Sequence, residues 1–314
     1  MNCLLIGGGG FIGQYLARLL TERGRKVFVL GRQPQPSSPI PKGVTYISGD
    51  YGDEHTLRGL LEQVEEVVDL AYATVPKSSF EDPVFDLHAN LPLAVNMFQQ
   101  AAQSKHLKRI VVVSSGGTVY GHAESLPIPE SSTTNPVSPY GITKLAIEKY
   151  GLMFHRLVGL PLVVVRPANA YGEGQQAFRG QGFIATAVAS ILQRLPITVF
   201  GGDSIVRDYV HVEDVAMGIV AALERGQVGA CYNVGSGVGH TTNQVLSMIS
   251  ELARGDGFSV EVIDKPARPF DVPVNVLDCA KLRNDSGWRS RVELTEGIER
   301  VWRWAPRSPE GGQP

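Results

Sequence analysis

The chain has 314 residues, 43% of them hydrophobic, with 29 Lys and Arg against 31 Asp and Glu. The formal net charge of −2 gives no electrostatic attraction to nucleic acid or to an anionic membrane surface. The length is enough to bury a large core, and two lobes are expected.

Three cysteines, Cys3, Cys231 and Cys279, lie far apart without a C-x-x-C. That argues against a disulfide framework or a zinc site, so no metal is expected, and it suits a reducing compartment. The first apolar run is too short for a signal peptide and has no basic flank. No stretch approaches the roughly 18 apolar residues of a membrane span. The expectation is a soluble cytoplasmic protein.

Met1–Ile6 is an apolar run, followed by Gly7-Gly8-Gly9-Gly10-Phe11-Ile12-Gly13 and the helical-looking Gln14–Leu20. Strand, glycine turn and helix in this order let backbone N–H groups and a helix N-terminus close on a pyrophosphate. Both Gly8-x-Gly10-x-x-Gly13 and Gly7-x-x-Gly10-x-x-Gly13 fit the spacing. The second form resembles the short-chain dehydrogenase/reductase superfamily, and Gly10-Phe11-Ile12-Gly13 resembles its extended branch. The general pattern expects an acidic residue about 20 positions on, for the ribose hydroxyls. After the strand Val27–Leu30 the chain has Gly31-Arg32 instead. Arg32 stacks on adenine, holds a 2′-phosphate or is a surface arginine, which leaves NAD and NADP both open.

Further strands are expected at Cys3–Ile6, Val44–Ile47, Val67–Ala71, Ile110–Ser114 and Leu162–Arg166, with helices over Glu54–Gln63, Leu87–Gln103 and Tyr140–Leu157. This β–α alternation predicts an α/β fold, a Rossmann-type doubly wound parallel sheet with ligands at the carboxyl ends of its strands. The proline-rich segments Gln33–Lys42 and Leu126–Pro139 read as surface loops. From Pro167 to Tyr209 glycines are many and regular alternation is slight. Cys231–Val234 then reads as a strand, Thr241–Arg254 as a helix, Val260–Ile263 as a strand and Thr295–Trp304 as a helix. A dinucleotide-binding domain over 1–166, with 210–237 returning to it, is expected. Residues 167–209 and 238–305 would form a smaller C-terminal substrate-binding lobe, and 306–314 a disordered tail.

Tyr140-Gly141-Ile142-Thr143-Lys144 is the sharpest catalytic candidate. Ser138 suits an N-cap and Pro139 the first helical position. The i, i+4 spacing puts Tyr140 and Lys144 on one face. An ammonium beside the phenol is expected to favour phenolate and make Tyr140 a usable base. Upstream, Ser114-Ser115-Gly116-Gly117-Thr118 ends a strand in hydroxyls and glycines. A hydroxyl there would bond a sugar oxygen and share a proton with Tyr140.

With these motifs the chain resembles the NAD-dependent sugar-nucleotide epimerase/dehydratase family, from Gly7 to Trp304. Within that family it is most like the UDP-glucose and UDP-N-acetylglucosamine 4-epimerases. The resemblance implies NAD held by Gly7, Gly10, Phe11, Ile12, Gly13, Asp50, Tyr51, Ala71, Tyr72, Ala73, Asn90, Tyr140, Lys144 and Pro167, with Arg32 beside it. It also implies a UDP-sugar substrate met by Ser115, Thr118, Tyr140, Asn169, Arg207, Arg268, Asp271 and Asn275. In that scheme Asn169 meets the diphosphate, Arg207 and Arg268 clamp it, and Asp271 binds ribose. Asn275, four places after Asp271, lines the pocket around the sugar C2 substituent or points to solvent. A homodimer is implied as well. His211 is expected to fix structure rather than transfer protons.

Two departures from the family pattern stand out. Gly116 occupies the position where many members carry the catalytic Ser or Thr, which leaves the role to Ser115, with Thr118 second. Gly117 and Thr118 stand where the family's 4,6-dehydratases carry an Asp-Glu pair, so water elimination lacks its acid and base. The expected activity is reversible C4 epimerisation of a UDP-hexose through a 4-keto intermediate, with N-acetylated hexoses accepted. The alternatives are an NADP-dependent sugar-nucleotide reductase or dehydrogenase, and a non-catalytic dinucleotide-sensing binder.

Overall fold

The computed structural model describes residues 1–36, 39–268 and 271–306. In chain order these form β1 (Asn2–Ile6), α1 (Phe11–Glu22), β2 (Lys26–Gly31), β3 (Thr45–Ser48), α2 (Glu54–Leu61) and β4 (Glu66–Asp69). Next come α3 (Pro76–Glu81), α4 (Pro83–Ala101), β5 (Arg109–Val113), α5 (Pro139–Val158), β6 (Leu162–Pro167) and β7 (Asn169–Tyr171). They are followed by α6 (Phe183–Leu192), β8 (Ile197–Phe200), a 3₁₀ turn at Gly202–Ser204, β9 (Val206–His211), α7 (Val212–Arg225) and β10 (Cys231–Val234). The last elements are β11 (Gly239–Thr241), α8 (Thr242–Gly255), β12 (Val262–Lys265), β13 (Val274–Asn275), α9 (Ala280–Ser286) and α10 (Leu294–Trp304).

Seven strands form one parallel sheet in the order β10-β6-β5-β4-β1-β2-β3. Strand order reverses between β1 and β4, which opens a crevice at their carboxyl ends. The inner strands β1, β2, β5 and β6 are largely apolar runs because helices cover both faces of the sheet there. Cys3, Leu5, Val27, Val29, Val111 and Val163 pack into one core. Their neighbours Leu4, Ile6, Phe28, Leu30, Ile110 and Leu162 pack into a second. This is the period-2 alternation of a strand buried on both sides. Each such side chain contributes about 1.5–3 kcal/mol when fully buried.

Two smaller sheets lie outside the parallel one. In one, β11, β9 and β13 are neighbours and β7 pairs with β9; in the other, β12 pairs with β8. A third core with Ile184, Ile191, Val199, Ile249, Ile298 and Trp302 sits among these elements.

Several sequence expectations are corrected. β4 ends at Asp69 rather than Ala71, although the Leu70 N–H still donates to the Ile6 carbonyl at 2.9 Å. The stretch 167–209 is more regular than its glycines imply, since it holds β7, α6, β8 and most of β9. In α6 only Thr186 and Ser190 are polar, so no amphipathic period marks it; such a helix is one buried on most sides. α7, which packs against α1, has no counterpart among the expectations. The expected tail falls, from 307 onward, outside the described residues.

Candidate active site

The cleft at the sheet's reversal is built on close backbone approach. Gly7 leaves β1 with φ +74°, and a Cβ there would lie 2.8 Å from the Ala71 nitrogen and Cα in the loop after β4. A Cβ on Gly13 would lie 2.3 Å from the Gly8 carbonyl oxygen. Gly10 caps α1 without a side-chain bond, and no acidic residue stands in the first turn. That end of the helix is electrostatically suited to an anion.

Gly7, Gly10, Arg32, Tyr51, Ala71, Tyr72, Ala73 and Asn90 line a cleft of about 240 Å³. The fit to a dinucleotide rests on bare backbone at the turn and an uncapped helix end.

Other cofactor candidates have different surroundings. The Phe11 ring meets Tyr15 edge-on, with centroids 6.4 Å apart. Ile12 packs on the core. The Asp50 carboxylate accepts the Gly52 N–H at 2.9 Å, and the Pro167 carbonyl accepts the Gly116 N–H at 2.8 Å. Asn90 lines the cleft with both ends of its amide engaged. Its Oδ1 accepts the Ala73 N–H at 2.8 Å, and its Nδ2 donates to the Asp86 carbonyl at 2.7 Å. It therefore fixes the loop after β4 to α4.

The Ser138 side chain accepts the Gly141 N–H at 3.1 Å and Pro139 opens α5, as an N-cap and first-turn proline should. Tyr140 and Lys144 thus project from the first turns of α5. Ser115, just past β5, shares a hydrogen bond with the Tyr140 side chain. The Tyr72 ring lies 4.7 Å from that of Tyr140 at an interplanar angle of 66°. Lys144 Nζ sits 4.1 Å from the Tyr72 ring centroid and 5.9 Å from that of Tyr140, and it donates to the Val113 carbonyl at 2.8 Å.

The expected phenolate is not favoured in the protein without its ligands. Burial and the nearby Asp86 carboxylate push the Tyr140 phenol above its ordinary value, opposed by the Ser115 hydrogen bond. Burial lowers the Lys144 ammonium to about 8, although Asp69, Glu148 and Asp86 favour its charge. Burial is the leading cause for both groups, because it disfavours the charged form of each.

Asp86 itself was not marked by the sequence. It is fully buried on α4 and receives the hydroxyls of Thr143 at 2.7 Å and Tyr72 at 3.3 Å, together with that of Thr74. It joins the loop after β4, α4 and the first turn of α5 at one carboxylate. These positions are remote in sequence and no local motif marks them.

Beyond β6 the substrate candidates cluster in a second group. Asn169 Nδ2 donates to the Asp208 carbonyl at 3.2 Å. Arg207 Nη1 donates to the Val272 carbonyl at 2.6 Å, and Nη2 lies 3.7 Å from the Asp271 carboxylate. Arg268 grips both oxygens of that carboxylate at 2.8 and 2.9 Å. Pro269 and Phe270 of the same motif lie outside the described residues. Asp208, which the sequence did not mark, is fully buried and accepts from Ser236, Gly237 and Leu277. It fastens β9 to the loop after β10.

Asn275 is 1% exposed, which removes the reading that it points to solvent. Its Nδ2 donates to the Gly116 carbonyl at 3.0 Å, while its Oδ1 is buried without a partner among the described residues. Thr118 Oγ1 and Ser114 Oγ are buried and unpartnered in the same sense. A Cβ on Gly116 would lie 2.5 Å from Leu277 Cδ1 and 2.9 Å from the Arg166 carbonyl oxygen, so this backbone has no room for a serine there. His211 caps α7 through the Glu213 N–H at 3.3 Å, and its Nε2 lies 2.9 Å from the Glu173 carboxylate. That is a structural role.

Among the described residues no helix is long and apolar enough to cross a membrane.

The model of the NAD dependent epimerase/dehydratase family matches residues 3–235. The UDP-glucose 4-epimerase of Mycolicibacterium smegmatis is 33% identical over 309 residues, covering 96% of this chain and 97% of that protein. A crystal structure of UDP-glucose 4-epimerase from Thermotoga maritima with UDP-glucose superposes with a TM-score of 0.90 at 30% identity, covering 97% of this chain and 98% of that one. The UDP-glucose 4-epimerase of Thermus thermophilus in complex with NAD gives a TM-score of 0.89 at 33% identity, with the same coverage. The chain is a member of the NAD dependent epimerase/dehydratase family.

Proposed function

We propose that the protein inverts C4 of a UDP-hexose reversibly, with NAD resident in the cleft. The observation that carries this reading is the convergence of Tyr140, Ser115 and Lys144 beside the cleft-lining Tyr72. Tyr140 takes the C4 hydroxyl proton, and Ser115, bonded to it, orients the sugar oxygen. Bound NAD supplies acceptance and return of the C4 hydride. Lys144, anchored on the Val113 carbonyl, holds its ammonium beside the ring pair, and that positive charge favours the phenolate over the neutral phenol.

The 4-keto sugar must present its opposite face while its diphosphate stays fixed. Arg207 and Arg268 supply two guanidiniums for that anchor, preorganised by Asp271. Asp271 would exchange part of this pairing for ribose hydroxyls, with Asn169 on the diphosphate. The free Oδ1 of Asn275 accepts from a C2 hydroxyl or an acetamido N–H, which supports acceptance of both hexose classes.

Epimerisation is favoured over water elimination because Gly117 offers no side chain. A Cβ there would meet nothing closer than Asn169 Oδ1 at 3.9 Å, so the space is open and carries no carboxylate.

We also infer the two-lobe division at 1–166 with 210–237, against 167–209 with 238–305. It is supported by β10 joining the parallel sheet and α7 packing on α1. A homodimer is supported by the exposed stripe Ile142, Tyr150, Met153 and Leu157 on α5, which a second copy would cover. Three unpaired cysteines support the cytoplasm as the compartment.

The test is to offer UDP-glucose, UDP-galactose and their N-acetyl counterparts to protein purified without added cofactor, with products identified by proton NMR. C4 epimers are expected. Formation of a 4-keto-6-deoxy sugar would replace this reading with dehydration.

A further inference from the structure

Asp69 ends β4 as a buried carboxylate. In the parallel register it stands beside Ile6 of β1 and Val112 of β5. Ile6 lines the cleft, as do Leu70 and Ala71, the two residues after Asp69. The carboxylate therefore lies under the cleft floor, one position along β5 from the Val113 carbonyl that receives Lys144 Nζ.

The other buried carboxylates around Lys144 are answered elsewhere. Glu148 is gripped by the Arg166 guanidinium at 3.0 and 2.6 Å, and Asp86 spreads its charge over three hydroxyls. Among the described residues Asp69 receives a single hydrogen bond, from the Ala71 N–H at 3.0 Å. A buried charge persists only where another charge or several donors answer it. Asp69 is left to Lys144, and its charge is the strongest of those favouring the Lys144 ammonium. Burial lifts the Asp69 carboxyl to about 6, against the pull of Lys144 and of the Ala71 N–H.

The bond to Ala71 has a second consequence. A Cβ on Gly7 would lie 2.8 Å from the Ala71 nitrogen, so the glycine turn closes on backbone that Asp69 holds. We propose that Asp69 is a positioning residue for both halves of the site. It is the counter-ion that keeps Lys144 charged, and it fixes the loop on which the dinucleotide turn closes. The proposal rests on the reading that Tyr140 and Lys144 are the catalytic pair beside a dinucleotide cleft.

Lysine labelled with ¹³C at Cε reads the Lys144 titration by NMR without turnover, with Lys144→Met to assign the signal. The groups facing Lys144 are Asp69, Glu148 and Asp86, with the Tyr72 and Tyr140 rings; Tyr51 also faces Asp69. Asp69→Asn keeps an acceptor for the Ala71 N–H but removes the charge. The Lys144 midpoint should fall by about one pH unit, and the alkaline limb of the kcat–pH profile should move with it. In the wild type the Lys144 signal should show a second inflection near pH 6, as Asp69 takes up its proton. Asp69→Ala also removes the acceptor and should weaken calorimetric binding of NAD about tenfold, where Asp69→Asn stays within about twofold.

An unchanged Lys144 midpoint in Asp69→Asn overturns the counter-ion role. If that variant does not fold, a single inflection in the wild type overturns it instead. A shifted midpoint with an unmoved alkaline limb would make the pairing structural and overturn its part in turnover. Equal NAD affinity in the Asn and Ala variants overturns the role at the loop. The lysine titration needs no substrate, so its failure is distinct from failure of the epimerase reading, which the product assay tests.

Discussion

The hydroxyl of Thr143 donates to the buried carboxylate of Asp86 at 2.7 Å, tying the residue before Lys144 to a helix 57 positions upstream. Asp86 also takes the Tyr72 and Thr74 hydroxyls, so one carboxylate holds the ring that faces both Tyr140 and Lys144. Its charge opposes ionisation of Tyr140, so the same group that orders the site tunes its base.

From this follows a pH prediction for Asp86→Asn. Groups facing the pair are Asp69, Glu148 and Asp86 around Lys144, with Tyr72 and Ser115 beside Tyr140. Turnover rises with pH as Tyr140 ionises. Removing the Asp86 charge favours phenolate, so the acid limb of the kcat–pH profile should move to lower pH. Thr143→Val, which removes one donor and no charge, should lower kcat without that shift. Equal profiles for both variants would confine Asp86 to a packing role.

Tyr140→Phe removes the proton acceptor but keeps the ring. Nucleotide binding should survive while kcat falls about 10²–10⁴-fold, the usual worth of general acid–base catalysis. Ser115→Ala should cost more than Thr118→Ala, since Ser115 is the hydroxyl bonded to Tyr140. The reverse order, measured as kcat on one UDP-sugar, would transfer the role to Thr118.

Gly116→Ser adds a hydroxyl at the position where the resemblance leads one to expect the catalytic Ser or Thr. The added Cβ meets Leu277 and two backbone carbonyls. Thermal unfolding should show a loss of about 1–3 kcal/mol, as for other overpacked sites. Added to Ser115→Ala it should not rescue activity; rescue would mean that this backbone shifts easily to accept a side chain at position 116.

Much of this was legible from sequence, and the limits have physical causes. The parallel strands were readable because sheets buried on both faces demand unbroken β-branched runs such as Val111–Val113. The glycine turn and the Ser138-Pro139-Tyr140 helix start were readable because their geometry is local. Asp86 and Asp208 were not, since each gathers partners from distant segments. The sign of the Tyr140 shift was also beyond reach, because it depends on how deeply the phenol is buried and on Asp86, which lies far away in sequence.

Glu173 gives a stability prediction of the same long-range kind. Burial disfavours its charge, but hydrogen bonds from His211 and Arg300 outweigh that and hold it at about 2 against an ordinary 4.5. A depressed carboxyl stabilises the fold above its unfolded pKa and loses that contribution as pH falls through the folded one. Glu173→Gln should therefore destabilise by about 1–3 kcal/mol near neutrality, with the difference from wild type vanishing between about pH 4.5 and 2. A difference in denaturant midpoint that stays constant across that range would contradict the assignment.

The central claim is that hydride leaves C4 and returns to the same carbon. Incubating the purified protein with UDP-glucose deuterated at C4, or with an N-acetylated counterpart so labelled, tests it most directly by proton NMR and mass spectrometry. The expected product is the C4 epimer with deuterium retained at C4, formed without added nucleotide and without net redox change. Loss of deuterium to solvent, a product lacking the C6 oxygen, or stoichiometric consumption of added NADPH would contradict it.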